Sequence, residues 1–119
     1  MCFSVDGQSV WQPSSRVGRL YMAYLVAVER ELDLSAGASV MPGDPDDIQL
    51  DSEPFVGFVA KLEQVYSRSN HGIFRRELSP VLFPAIVMLQ LSGHGARVFP
   101  NDPDQRDQIA ACKASMTSL

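Results

Sequence analysis

Apolar and polar positions recur with two different periods along this chain, and the changes of period divide it into elements. Residues 2–11 carry period two on either side of Asp6-Gly7. That pair suits a tight type I′ turn, because both central residues take positive φ. With Val5 opposite Gln8, Phe3 faces Val10, so Phe3, Val5 and Val10 share one face of a hairpin. Cys2, Ser4, Ser9 and Trp11 fall on the other. A two-stranded hairpin is marginal alone in water, so its apolar face is expected to lie on helices.

Beyond Gln12-Pro13 the period becomes helical. Ser14 or Ser15 can cap a helix over about 15–34, with Val17, Leu20, Tyr21, Tyr24 and Val28 at helical spacing and Leu25 widening the stripe. Met22, Ala23, Val26 and Ala27 leave so little polar surface that this helix is expected to be covered on more than one side. Gly18 costs about 1 kcal/mol in a helix interior, and a close approach by another backbone is the expected reason for it. A second helix over 52–69 opens on Asp51-Ser52-Glu53-Pro54, where acids suit the helix dipole and proline loses no needed donor. Its inner stripe is Phe55, Phe58, Val59, Leu62 and Tyr66. A last helix over 103–116 starts with Asp102 as cap, Pro103 behind it and Gln105 at the capping-box position. Its inner stripe is thin: Ile109, Cys112 and Met116. Arg97-Val98-Phe99 reads as a short strand.

The helix over 71–92 differs from the rest. From Leu78 to Leu91 it carries no charge and is apolar on every side, so it belongs at the centre with other elements around it. Pro80 and Pro84 cannot donate to the carbonyls of Arg76 and Pro80, so the helix kinks or breaks there and those carbonyls need other partners. Residues 37–51, with Pro42, Gly43, Pro45 and four aspartates, read as the least structured part, an acidic solvated loop. The resulting fold is mainly α within an α+β class. An N-terminal β-hairpin packs on three to four helices, the central one bent by proline, in one domain spanning 1–119.

A chain of 119 residues that is 45% hydrophobic can bury a core of its own. Its net charge of −4 and pI near 5.0 argue against a nucleic-acid binder. The uncharged stretch is shorter than the roughly 18 apolar residues a bilayer demands, and the first residues do not resemble a secretory leader. The expectation is a soluble, cytoplasmic protein with no membrane contact, whose Cys2 and Cys112 are free thiols.

Chemistry is sparse. His71 and His94 are far apart and lack a zinc spacing. A calcium loop begun at Asp44 would put Phe55 where a bidentate glutamate is needed. No metal or cofactor is therefore expected. Neither a G-x-S-x-G nor an S-x-x-K pattern occurs. The basic run Arg68-Ser69-Asn70-His71-Gly72-Ile73-Phe74-Arg75-Arg76 lies at a helix start, where free amides and arginines can receive a phosphate or carboxylate. The plainer reading is a solvated turn whose arginines pair with Glu63, Glu77 or the acidic loop. Trp11, on the polar hairpin face, must cover something. The binding candidates are Trp11, Arg16, Arg68, Asn70, His71, Arg75 and Arg76; His71 and Glu77 are the candidates for acid or base.

Phe3-Ser4-Val5-Asp6-Gly7-Gln8-Ser9-Val10-Trp11-Gln12-Pro13-Ser14, followed by Arg16 and the first helix, resembles the opening of small actinobacterial proteins of unknown function. Tyr66-Ser67-Arg68-Ser69-Asn70-His71 resembles the same group, and the likeness extends from Phe3 to about Leu91. The group has no established activity, so it implies no catalytic residues. It does draw Trp11, Arg16 and Arg68-Ser69-Asn70-His71 into one candidate surface. The expected function is a small non-enzymatic binding or interaction protein, of immunity or regulatory type, with a protein partner or a homo-oligomeric state. The alternative is a small enzyme or ligand carrier. It would have an apolar pocket near Pro80 and Pro84, an anion-binding cluster at Arg68–Arg76, and a small anionic or apolar ligand.

Overall fold

The computed structural model describes residues 1–95 and 103–117. Two hairpins flank one helix: β1 (Cys2–Val5) and β2 (Gln8–Trp11), then α1 (Ser15–Leu32), then β3 (Ala38–Met41) and β4 (Asp44–Leu50). Three helices follow, α2 (Ser52–Arg68), α3 (Gly72–Leu91) and α4 (Pro103–Thr117). The strands make one sheet in the order β2-β1-β4-β3, with β1 and β4 parallel at its centre and each hairpin antiparallel. The class is α+β, as the periodicity predicts. The expected strand at Arg97-Val98-Phe99 and the Asp102 cap lie outside the described residues.

Residues 37–51 are not a solvated loop. They form β3 and β4, turning at Pro42-Gly43, where Gly43 takes φ 81°. The aspartates Asp44 and Asp46 sit on the exposed end of β4, while Ile48 and Leu50 at alternate positions are buried. The N-terminal hairpin is therefore half of a four-stranded sheet, its second edge covered by β4 in register from Cys2–Asp47 to Val5–Leu50.

That hairpin turns at Asp6 (φ 50°) and Gly7 (φ 84°), the positive pair a type I′ turn needs. Val5 pairs with Gln8 and Ser4 with Ser9, but the register then shifts and Phe3 pairs with Trp11, not Val10. Such a bulge re-aims the side chain beyond it. Trp11 accordingly leaves the polar face and stacks on Phe3, centroids 5.1 Å apart, while Tyr21 of α1 meets both rings edge-on.

Helix α1 is capped by Ser14, whose hydroxyl accepts from the Val17 amide at 3.3 Å, and it ends at Asp33 in the left-handed region. Gly18 is covered by the Met1 side chain, not by another backbone. Only Gly18, Tyr21, Leu25 and Val28 of this helix are buried; the predicted stripe splits, leaving Val17, Leu20 and Tyr24 outside. For α2, the cap position is Asp51, but its side chain makes no capping bond. Asp6, at the tip of the first hairpin, does that work: its Oδ1 accepts from the Ser52 amide at 2.9 Å.

Helix α3 is central as expected, touching α1, α2, α4 and β2, and it runs through Pro80 and Pro84 without a break. The carbonyl that Pro80 frees, on Arg76, accepts from the Ser79 hydroxyl at 3.1 Å. The Tyr21 hydroxyl donates to the Val81 carbonyl, also at 3.1 Å, tying α1 to the proline segment. The predicted inner faces of α2 and α3 are buried, Phe74 only in part. On α4, Ile109 is joined inside by Gln105, whose amide donates to Ser67. No helix among the described residues is long and apolar enough to cross a membrane.

Candidate functional groove

Because α1 presents only a narrow stripe to α3, the two helices leave a groove between them. Its wider part, about 710 Å³, lies between Tyr24, Ala27 and Glu31 of α1 and Phe74, Glu77 and Pro80 of α3. A second part of about 330 Å³ continues past Tyr24 and Pro80 to Trp11, Leu20, Pro84 and Met116. Shared Tyr24 and Pro80 make the two one track. The prolines shape it from below, since a proline ring presents carbon where other residues present an amide.

The α1 wall is unusual for its exposure. Val17 is 50% exposed, Leu20 53% and Tyr24 47%. Three apolar side chains half in water beside one groove make a patch, not isolated exposed positions. At one end Glu31, Arg76 and Glu77 supply two carboxylates and one guanidinium. At the other, Trp11 and Tyr21 line it, their rings edge-on at 5.3 Å and both packed on the buried Phe3.

The sequence candidates divide between this groove and the rest of the surface. Trp11, Arg76 and Glu77 line it, and His71 lies just beyond its end in a shallow depression with Ile73, Phe74 and Glu77. The remaining arginines go elsewhere. Arg75, one residue and about 100° from Arg76, lies over the Tyr66 ring at 4.5 Å, with its Nε buried and lacking a hydrogen-bond partner. Arg68, Asn70 and Arg16 are exposed and line neither part of the groove. His71 spends its Nδ1 as the cap of α3, accepting from the Phe74 amide at 3.3 Å.

A family model described as a family of unknown function, DUF6086, matches residues 1–118. The chain belongs to the DUF6086 family. Comparison with curated proteins gives no match, nor does comparison with solved structures.

In this DUF6086 protein the perturbed titratable groups are structural. Burial pushes the Tyr21 phenol far above its ordinary value, with the Cys112 sulfur adding to the effect. Burial also raises the Cys112 thiol, which stays protonated and poorly nucleophilic beside Met116. Both cysteines are free. Asp6 is held below the usual carboxylate range by its hydrogen bonds to Ser52, with His94 at 3.6 Å a smaller influence. Among the described residues no three of histidine, cysteine, aspartate and glutamate come together to hold a metal ion.

Val17, Leu20 and Tyr24 line the groove although the sequence shows them only as part of a helical stripe and not among the binding candidates. The signal was the excess of apolar residues on α1, more than one neighbouring helix can cover.

Proposed function

We propose that this DUF6086 chain is a non-enzymatic binding protein, of immunity or regulatory type, that engages a protein partner through the groove between α1 and α3. The observation that carries this reading is the half-exposed row Val17, Leu20 and Tyr24 beside the groove. Amphipathic helices dock into such grooves through anchors at helical spacing, and the aromatic residues Trp11 and Tyr24 are of the type that dominates contact energies. The setting that accompanies this reading is the cytoplasm of an actinobacterium.

Photo-crosslinking in host cells tests it. A benzoylphenylalanine at position 20 is expected to give protein adducts, whereas the same group at the exposed Lys61 on α2 gives none. Absence of protein adducts at position 20 would sink the reading.

One observation favours a ligand carrier as the second reading. The wider part of the groove, about 710 Å³, falls within the ~300–1,000 Å³ common for small-molecule sites. A small molecule of defined mass retained in native mass spectrometry, and lost in Ala27→Arg, whose side chain fills the wider part, would support that alternative. His71 and Glu77 would then be its acid and base candidates, and Arg76, the one arginine of the Arg68–Arg76 run that lines the groove, its anion contact.

A further inference from the structure

Building on the interaction reading, we propose that the partner seated on this groove is a second copy of the same chain, with the two α1 helices packed antiparallel about a two-fold axis. Val17, Leu20, Tyr24 and Ala27 follow one another at steps of three, four and three, and the next step of four reaches Glu31. That is the spacing of a coiled-coil seam. It is distinct from the buried face of the same helix, where Tyr21, Leu25 and Val28 already pack on the core. The helix thus carries two apolar faces and satisfies one.

Charge selects the occupant and its direction. Arg16 is exposed at the start of the seam, and Glu31 is exposed at its end beside Glu77 and Arg76. A parallel pair of α1 helices would set Arg16 against Arg16 and Glu31 against Glu31. An antiparallel pair whose axis passes between Ala23 and Tyr24 sets Arg16 of each copy against Glu31 of the other. Two-fold symmetry makes that contact twice. In the same register Leu20 stands over Ala27 and Tyr24 over Ala23, so each large side chain meets a small one. Opposed helix dipoles favour the arrangement as well. Arg30, seven residues after Ala23 and so on the same side of the helix, comes opposite Val17 of the other copy, where its aliphatic stem lies along the apolar side chain and its guanidinium stays in water. The carboxylates at the Glu31 end of α1 and the exposed Arg16 at its start face each other across the two-fold only in this orientation.

The test is the mass of the full chain in solution, measured by light scattering on a sizing column and by sedimentation. The wild-type protein is expected at twice the 13.1 kDa chain. Leu20→Arg is expected to be monomeric. Arg16→Glu is expected to raise the dimer dissociation constant roughly tenfold, since two charge pairs become repulsions. Arg16→Glu combined with Glu31→Arg restores the dimer, which no general loss of folding would do; circular dichroism verifies that each variant keeps its helices. A wild-type protein that stays monomeric at high micromolar concentration overturns the proposal. So does a dimer indifferent to Leu20→Arg and Arg16→Glu. Adducts at position 20 with a different protein, from a monomeric chain, overturn self-pairing while leaving the interaction reading intact. No protein adduct at all removes both.

Discussion

Tyr21 stands where three parts of the molecule meet: its ring lies edge-on to Phe3 and Trp11, and its hydroxyl donates to the Val81 carbonyl on α3. Tyr21→Phe deletes that bond, so urea unfolding is expected to report a loss of roughly 0.5–1.5 kcal/mol. The phenol also makes stability fall with rising pH. In the unfolded chain it ionises near its ordinary value of 10.0, while burial keeps the folded phenol neutral above that. Its contribution is complete below pH 10 and is lost as pH rises beyond it. Denaturation midpoints taken across pH 10 should therefore decline more steeply for the wild type than for Tyr21→Phe. Asp6 works in the opposite sense. Its carboxyl is lowered from the ordinary 3.8 by Ser52, so its contribution is present above that pH and fades as pH drops through the lowered value. Asp6→Asn should flatten the fall in melting temperature on acidification below about pH 4. Neither role was legible in the chain. Asp6 was legible as a turn residue through the Asp-Gly pair, but Ser52 lies far from it in sequence and nothing local announces that a hairpin tip will cap a helix.

At the scale of elements, helical periodicity was a reliable guide, and strand periodicity found the first hairpin but not the second. The four helices begin and end within about two residues of where caps, prolines and glycines put them. Strand β4 escaped because its first four residues, Asp44 to Asp47, are three aspartates and a proline, and only Ile48 and Leu50 remain to show alternation. Two positions do not make a period. The bulge at Val10 was hidden for a related reason: an extra residue in one strand inverts the alternation after it, and composition does not mark where. Ile48→Ala separates the two views of residues 37–51. A solvated loop would tolerate it, whereas a residue 2% exposed at the centre of the sheet should cost about 2–5 kcal/mol in chemical denaturation.

For the whole molecule, the uncharged segment at Leu78–Leu91 was enough to place α3 at the centre, and its prolines pointed to the pocket region. The candidate surface was legible only in part. Trp11 and Arg76 reach the groove, while Arg75 departs for Tyr66 because neighbours on a helix diverge by about 100°. Apolar content in α1 signalled extra burial, but not which of its faces the core would take. The parallel pair β1–β4 carries a further consequence, in the order of events during folding. It joins residues about 45 apart in sequence, so the centre of the sheet cannot close before α1 and the second hairpin exist. The entropy of closing that loop comes due before its contacts reward it, which places this chain with mixed α/β domains rather than with fast helical bundles. A ribosome that has released the chain only as far as α1 has released a hairpin with one edge unpaired and a helix with both apolar faces bare. Shelter for the hairpin edge and for the inner face of α1 arrives only with β4 and α3.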